Sequence, residues 1–272
     1  YLSAKVFLQG AYHAATNLMK DDLRTKGFLP TTEPYTLLQP AVNVFPFVHI
    51  HGGGETVDEA VLAVEGNNAI VDWLFLELRH ADDATEIIAT RSALVQRDGD
   101  IVDMDGQSPV LFNAPEGNYF VSVRHRNHLG IMSAETINLT KNSEIPSHID
   151  FTVATTATYG EFAQKDLADA NNTHVMWGGN ADGDSFVVFQ GGGIAVPDSD
   201  RIFFDIFLNE DNTDSSFNHI VDGYHSGDTN MDGEVRYQGL NNDIDILIFF
   251  NILQYPDNPQ FFVNFFITEQ LP

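Results

Sequence analysis

The organisation of this chain is read from one stretch near its C-terminus, Gly227-Asp228-Thr229-Asn230-Met231-Asp232-Gly233-Glu234-Val235. Oxygen-bearing side chains occupy every second position, at Asp228, Asn230 and Asp232, and Gly233 follows where the chain must turn sharply. Calcium loops collect carboxylate, amide and backbone oxygens from alternate residues in this manner. The stretch therefore predicts the first half of a calcium site, to which the backbone carbonyl of Glu234 contributes one more oxygen.

The same pattern occurs earlier in the chain, which makes it an internal repeat. The first copy, Asn180-Ala181-Asp182-Gly183-Asp184-Ser185-Phe186-Val187, matches the second copy from Asp228 to Val235, and each copy reaches a pair of acids followed by an apolar run. The predicted ligands of the first copy are Asn180, Asp182, Asp184, the carbonyl of Phe186, Asp198 and Asp200. Those of the second copy are Asp228, Asn230, Asp232, the carbonyl of Glu234, Asp243 and Asp245.

The acids at the far end of each copy are expected to close the calcium shell. In an ordinary EF-hand loop the closing acid is about the twelfth residue, whereas Asp243 and Asp245 lie further along, so the residues before them must loop out. Both precede an apolar helical run, where a helix N-terminus favours negative charge. Either of them is a candidate for closing the second shell.

The first copy departs from the second at two positions. Asn180 stands where the second copy has Asp228, and Ser185 stands where it has Gly233. A charged ligand is thereby replaced by a neutral one, and a sharp turn loses its glycine. We therefore expect two calcium ions, with the Asp228 site binding more strongly.

The duplicated loop followed by an apolar helix resembles the dockerin family, and more closely the dockerin-like C-terminal modules of secreted surface proteins from Bacteroidota-type bacteria. Those modules carry the pattern Asp-x-Asn-x-Asp-Gly-x-Val, an aromatic residue, a glycine and then Asn-Asp before an apolar helix, as between Asp228 and Asp243. The resemblance extends to Val6–Tyr12 and Asn68–Trp73, while Asn209–Gly223 is the least matched part. It implies an extracellular structural, adhesive or carbohydrate-related protein.

Between Leu2 and Val153 the chain alternates short apolar segments with turn residues, which is typical of a β-sandwich. Trp73 on an early strand and Tyr119 at the start of a late one resemble an immunoglobulin-like sandwich without its disulfide. We therefore predict a mainly β protein, with an immunoglobulin-like β-sandwich over residues 1–155. A dockerin-like calcium-binding domain with a C-terminal strand is predicted over residues 156–272, and residues 159–167 are predicted to form a short helix.

The charge balance supports bound cations and excludes several partners. The chain has 39 acidic and 13 basic residues, a net charge of −26, and the part from residue 156 onward has only Lys165, Arg201 and Arg236 as bases. A compact fold with this charge repels itself unless cations neutralise it. The same charge argues against nucleic acid as a partner. No apolar run reaches the length of a membrane span, so no membrane insertion is expected.

The motifs of common enzymes are absent from the sequence. There is no Gly-x-Ser-x-Gly elbow, phosphate loop or dinucleotide fingerprint, and with no cysteine there is no thiol chemistry. A pair of carboxylates for glycoside hydrolysis is the remaining enzymatic alternative. We expect a non-enzymatic, extracellular or cell-surface protein that self-associates into a fibre or matrix. The alternative is a dockerin-type or carbohydrate-binding module of a larger secreted protein, with a glycan or cohesin-like partner.

Four further features lead to expectations about assembly and local structure. The strand-like Leu2–Leu8 and Phe261–Ile267 are candidates for pairing with another subunit, or for completing the chain's own sheets. The basic cluster Arg124–His128 is interpreted as a solvated strand edge, with contact to acids of another domain or subunit as the alternative. The acids from Asp98 to Asp105 are interpreted as a hairpin turn rather than a third cation site. The start at Tyr1 is expected of a processed mature protein or a fragment.

Overall fold

The computed structural model describes residues 1–38, 47–190 and 196–272, and the predicted mainly β class is confirmed. Its strands are β1 (Leu2–Lys5), β2 (Tyr12–His13), β3 (Leu18–Met19), β4 (Ile70–His80), β5 (Asp83–Gln96), β6 (Asp100–Val102), β7 (Gly117–His125), β8 (His128–Met132), β9 (Ile137–Leu139), β10 (Ser147–Asp150), β11 (Gln164–Asp166), β12 (His174–Met176), β13 (Phe186–Val187), β14 (Val221–Asp222), β15 (Glu234–Val235) and β16 (Ile267–Thr268). Its helices are α1 (Asp22–Thr25), α2 (Glu59–Leu62) and α3 (Asp198–Phe207). A 3-10 turn covers Gly66–Asn68, and a π-helical turn (Ile246–Asn251) continues into a 3-10 turn (Ile252–Gln254).

One curled sheet forms the N-terminal body. Its strands follow the order β10-β1-β6-β5-β4-β7-β8, and β9 pairs with the start of β7. Neighbouring strands are antiparallel except β1 and β10, which run parallel. Every residue of β4 from Ile70 to Arg79 is buried, so both faces of the sheet are covered. The sheet curls until β9 and β10 meet, where the hydroxyl of Ser147 donates to the carbonyl of Asn138.

The main core is filled by aromatic and branched side chains of this body. Tyr35, Trp73 and Phe75 are fully buried. The hydroxyl of Tyr35 donates to the carbonyl of Trp73 at 2.8 Å, and the indole N–H of Trp73 donates to the carbonyl of Pro30 at 2.9 Å. The loop before the sheet is thereby fixed over the central strand.

The segment from residue 156 to 176 also packs on this main core. Ala163, Val175 and Met176 are buried in it. The short helix predicted over residues 159–167 is wrong, because residues 164–166 form β11 and pair with β12. The carboxamide of Gln164 donates to the carbonyl of Phe151 at 2.6 Å. This tertiary pairing overrides the weak local preference for helix.

The two segments predicted as candidates for pairing with a second subunit contain strands that pair within the chain. β1 lies between β10 and β6 and has a neighbour on both sides. In the C-terminal segment only Ile267–Thr268 is a strand, and it pairs with β13. Residues 261–266 instead form turns fixed by Asn258. β1 therefore offers no free edge, and the predicted strand of Phe261–Ile267 is mostly wrong.

A second, smaller core lies in the C-terminal part. It is built from apolar residues of α3, the π-helical turn and the short strands, namely Trp177, Val187, Ile202, Ile206, Val221, Val235, Leu247, Ile252 and Ile267. Leu129 of β8 packs in this second core, and Met231 packs in the main core. The two cores therefore interlock. Among the described helices, none is long and apolar enough to cross a membrane.

The hairpin interpretation of the acids from Asp98 to Asp105 is supported. The turn between β5 and β6 lies there, and the ammonium of Lys5 pairs with Asp100 at 2.9 Å. The guanidinium of Arg91 pairs with Asp103 at 2.6 Å. These acids therefore serve the turn and its neighbouring strands.

Candidate metal centre

Residues 228–236, called loop 2 below, turn around their own side-chain oxygens. The Oδ1 atoms of Asp228 and Asn230 accept from the backbone N–H of Asp232 at 3.1 and 2.9 Å. The second oxygen of Asp228 accepts from the N–H of Gly233 at 2.9 Å, and Asp232 accepts from the N–H of Glu234 at 2.9 Å. The alternate oxygens predicted from the sequence therefore converge on the inside of one turn.

Residues 180–188, called loop 1 below, repeat this scheme. The side-chain oxygens of Asn180 and Asp182 both accept from the N–H of Asp184 at 3.1 Å. Asp184 in turn accepts from the N–H of Phe186 at 3.0 Å. The internal repeat read from the sequence is thus also a repeat of backbone geometry.

The distal carboxylates complete each loop in the same way. In loop 1, Asp198 accepts from the N–H groups of Ala181 at 2.6 Å and Val188 at 2.7 Å. In loop 2, Asp243 accepts from the corresponding N–H groups of Thr229 and Arg236, both at 2.7 Å. Both oxygens of each carboxylate face the loop, and both residues are fully buried.

The other two predicted distal acids lie outside the loops. Asp200 is exposed on α3, and Asp245 is half-buried at the wall of a neighbouring cleft. Of the two candidates for closing the second loop, the structure thus brings Asp243 into the hydrogen-bonded turn and leaves Asp245 aside. Asp198 and Asp200 divide in the same way in the first copy.

Each loop holds three carboxylates: Asp182, Asp184 and Asp198 in loop 1, and Asp228, Asp232 and Asp243 in loop 2. The lower charge expected for the first copy is wrong, because Asp182 there occupies the position of Asn230. Both clusters are strained electrostatically without a cation. Burial raises the pKa of Asp228 to about 7 although Arg126 opposes the shift, and burial with the charge of Asp184 raises the pKa of Asp182 to about 7.

The same two causes act on the distal acids. Burial and the charge of Asp228 raise the pKa of Asp243 well above its ordinary value. Burial and the charge of Asp182 do the same to the pKa of Asp198. Like charges that are close together and desolvated disfavour ionisation, and a hard cation bound among them would reverse that preference.

The chemistry of the donor set suits calcium. Carboxylate, carboxamide and carbonyl oxygens are the ligands that calcium takes, whereas zinc favours histidine and cysteine, which neither loop contains. In the described parts of the chain, no three acidic or histidine side chains stand in an arrangement that holds a metal as it is. Their oxygens face backbone N–H groups instead. A carboxylate accepts about four hydrogen bonds, so these contacts leave capacity for a cation.

Loop 2 is attached to the sheet through buried charges that the sequence did not reveal. The Nε of Arg126 donates to Asp72 at 3.1 Å, its Nη1 donates to the carbonyl of His225, and its guanidinium lies 4.3 Å from the ring centre of Tyr224. Arg124 pairs with Glu77 at 3.3 Å. Interpreting this basic cluster as a solvated strand edge is therefore wrong, because both arginines are buried and face acids of the neighbouring strand.

The surroundings of Asp72, the buried acid of this network, favour its ionised form. Although burial alone would raise it, the Arg126 charge and the hydrogen bonds from His125 and Tyr224 lower the pKa of Asp72 to about 2. The Tyr224 hydroxyl donates to Asp72 at 2.6 Å. A charged pair in the interior is stable only when its remaining hydrogen-bonding sites are satisfied. The carboxylate of Asp72 meets this condition and so fixes the chain just before loop 2, whereas the Nη2 of Arg126 is buried without a hydrogen-bond partner.

Two neutral histidines extend the network toward the loops. The Nε2 of His125 donates to Asp72 at 3.1 Å, which assigns its Nδ1 as an acceptor facing the Nδ1 of His128 at 3.0 Å. The Nε2 of His128 accepts from the N–H of Gly10 at 3.3 Å. Burial lowers the pKa of His125 and lowers that of His128 well below its ordinary value.

Sequence reasoning missed two kinds of residue around the loops. Asn127 contacts both of them, yet a single asparagine at a turn carries no distinguishing pattern. Asn212 and Asn258 occupy matching places after the two helical segments, each holding the following turn. Their common place in each copy was a signal that a longer comparison of the repeat would have found.

Comparisons of the chain with protein-family models, with curated proteins and with solved structures find no match. The function is therefore argued from the loops, the clusters and the surfaces of the chain itself.

Proposed function

We propose that this chain is a non-enzymatic, extracellular structural or adhesive protein whose C-terminal part is a dockerin-like module binding two calcium ions. One observation carries the proposal: two loops share one hydrogen-bond scheme and each encloses three buried or half-buried carboxylates. Calcium takes six to eight oxygen ligands. In this proposal the N-terminal body is an immunoglobulin-like unit that displays the module at a cell surface.

Loop 1 would offer calcium the side chains of Asn180, Asp182, Asp184 and Asp198 with the carbonyl of Phe186. Loop 2 would offer Asp228, Asn230, Asp232 and Asp243 with the carbonyl of Glu234. Loop 2 is proposed as the tighter site, because Arg126 holds the backbone just before it against the sheet. The role of the metal is to hold the acidic C-terminal part together, since a ligand bound only by the native state raises its stability.

Calorimetric titration of the chelator-treated protein with calcium tests this proposal. The wild-type chain should bind two ions, and Asp184→Asn and Asp232→Asn should each lose one site. Asp214→Asn removes an exposed acid outside both loops and is the matched control. No calcium uptake, or an unchanged melting temperature after chelation, would refute the calcium role.

Self-association is proposed through the apolar surface of the module. Exposed aromatic side chains lie on both helical segments and in the turns after them, namely Phe204 and Phe207 with Phe217, and Phe249 with Phe261 and Phe262. Contiguous exposed apolar surface marks interaction sites. The net charge of −26 opposes association, and bound calcium would reduce that repulsion. Light scattering with calcium and with chelator should show calcium-dependent oligomers that Phe249→Ser weakens; a monomer under both conditions would refute assembly.

A binding module is the second candidate, favoured by one cleft. It has a volume of about 750 Å³ and lies between the N-terminal segment and the second copy of the repeat. Tyr12 and Phe250 supply aromatic surface, while Asn241, Asn242 and Asp245 supply polar groups of the kind that hold sugar hydroxyls. A glycan array should show binding that Tyr12→Ala abolishes. Binding of a cohesin-like partner would instead depend on the exposed helical segments.

A further inference from the structure

The internal repeat continues beyond the helices and forms two equivalent units, unit 1 (residues 178–223) and unit 2 (residues 226–269). After each helical segment a buried asparagine holds the next turn. Asn212 donates to the carbonyls of Ile206 and Ser216 at 2.9 and 3.1 Å. Asn258 donates to the carbonyls of Ile252 and Phe262 at 2.7 and 2.9 Å. Each unit is therefore a loop, a helical segment, an asparagine turn and a returning strand.

The returning strand of each unit pairs with the loop of the other unit. β14 of unit 1 pairs with β15, which is part of loop 2. β16 of unit 2 pairs with β13, which is part of loop 1. Just beyond these strands the N–H of Gly223 donates to the carbonyl of Gly233 at 3.1 Å, and that of Glu269 donates to Ser185 at 2.8 Å. The strand at the end of each loop thus takes its pairing partner from the other unit.

Each helical segment likewise contacts the residues that precede the loop of the other unit. Asp205 of α3 in unit 1 accepts from the N–H of Gly227, directly before loop 2, at 3.2 Å. Asn251 of unit 2 donates to the carbonyl of Gly178, directly before loop 1, at 2.6 Å. Each helical segment is thus hydrogen-bonded to the residues that lead into the loop of the other unit.

Asn127, at the turn between β7 and β8, joins both loops directly. Its carbonyl accepts from the N–H groups of Gly179 and Asn180 at 3.0 and 3.1 Å, where loop 1 begins. Its carboxamide donates to the carbonyl of Asp228 at 2.6 Å and to that of Ser226 at 3.3 Å, where loop 2 begins. The residue is fully buried, so a single rigid peptide and side chain set the first position of both loops.

We propose that the two loops bind calcium as a coupled pair and that Asn127 is the positioning residue that couples them. The inference rests on the proposed calcium binding and adds cooperativity to it. An ion that orders one loop fixes Asn127 and the exchanged strands, so the second ion meets a loop whose first position is already set. Because coupling between two sites is reciprocal, filling either loop should raise the affinity of the other by the same factor.

The test measures the calcium affinity of loop 2 with loop 1 intact and disabled. Asp184→Asn should lower the affinity of loop 2 by roughly 5-fold or more, which is the smaller end of measured couplings between sites. Asn127→Ala should weaken that dependence, so that adding Asp184→Asn to it changes loop 2 less than in the wild type, because the variant loses the carboxamide contacts to loop 2 and keeps the exchanged strands. Asn118→Ala is the matched control, because it removes an exposed side-chain hydrogen bond of β7 far from both loops.

The outcomes separate this inference from the proposed function. A wild-type chain that takes up no calcium refutes the calcium sites themselves. Two ions bound with a loop 2 affinity that Asp184→Asn leaves unchanged refute only the coupling. Coupling that persists at full strength in Asn127→Ala refutes the role of Asn127. If Asn127→Ala does not fold, Asn127→Ser is used for the same cycle, and the Asp184→Asn comparison in the wild-type background decides whether the loops are coupled.

Discussion

Loop 1 and loop 2 share their internal geometry and differ in their surroundings. Loop 2 packs closely against the N-terminal body, because Met231 lies in the main core. The backbone of Gly10 also approaches it so closely that an added Cβ atom would lie 2.1 Å from the carbonyl oxygen of Thr229. Loop 1 rests largely on the C-terminal segment, where the hydroxyl of Ser185 donates to Glu269 at 3.0 Å. The short-range pattern of the sequence determines how each loop turns, whereas distant contacts determine how firmly it is held.

The two loops do not differ in their number of carboxylates or in their number of left-handed residues other than glycine. Each has three carboxylates, and each places one residue other than glycine in a left-handed conformation, Ser185 with φ 72° and Met231 with φ 57°. Such a conformation costs about 1–2 kcal/mol. In loop 2 the burial of Met231 offsets this cost, and in loop 1 the hydrogen bond of Ser185 does so. The expected difference in affinity therefore depends on the contacts outside the loops.

The largest expected effect comes from removing the cation that joins loop 2 to the sheet. Arg126→Met leaves Asp72 buried without its charged partner, which typically destabilises a protein by about 3–5 kcal/mol. Arg201→Met is the comparison on α3, where the arginine of the pair with Asp205 is exposed and the pair contributes roughly 0.2–1 kcal/mol. Urea unfolding measures both. Equal losses would show that loop 2 does not depend on its buried charges.

A smaller effect is expected from adding a methyl group at Gly10, where the N-terminal segment lies close against loop 2. Gly10→Ala introduces a methyl group against the Thr229 carbonyl, and overpacking of this kind costs about 1–3 kcal/mol. The calcium affinity of loop 2 should fall. Gly117→Ala is the control, because its added methyl meets only ordinary contacts with Tyr119 at 3.7 Å. An unchanged melting temperature for Gly10→Ala would show that loop 2 does not need this close approach.

The burial of His128 predicts that the stability of the folded protein depends on pH. The pKa of His128 in the folded protein is lowered below its unfolded value of about 6.5. The folded state therefore binds fewer protons, and stability is lost as the pH falls below about 6.5. A protonated Nε2 would also face the N–H of Gly10, donor against donor. His128→Gln should show a weaker loss of melting temperature between pH 8 and pH 5 than the wild type, and parallel curves would contradict the assignment.

The sequence predicted the parts of this molecule that depend on local pattern. The short apolar segments that form the strands and the oxygen pattern of both loops are each visible within a few neighbouring residues. The buried pair of Asp72 and Arg126 joins two strands whose contact no short pattern encodes, so the arginine was misread as solvated. Asp243 and Asp245 differ only in the direction of their side chains, which the length of the looped-out segment determines.

For a related reason, the sequence did not predict that the repeat continues beyond the helical segments. Residues 209–223 and 255–269 share only Asp211-Asn212 with Asp257-Asn258, and Asn218 with Asn264, as identical residues. What is repeated there is a set of backbone hydrogen bonds, which many sequences can form. The exchange of returning strands between the two units therefore could be seen only in three dimensions.

The smallest expected effect concerns the surface of loop 2. The ammonium of Lys26 lies 2.9 Å from Glu234 in an ion pair that is partly exposed on both sides. Lys26→Met should cost roughly 0.2–1 kcal/mol in the absence of calcium. It should also raise the calcium affinity of loop 2 slightly, because a positive charge beside the site is removed, and leave loop 1 unchanged. Lys141→Met, an exposed lysine after β9 that does not line the cleft beside loop 2, is the control. Both effects should fade in high salt, and an equal gain in loop 1 would mean that net charge rather than this contact is responsible.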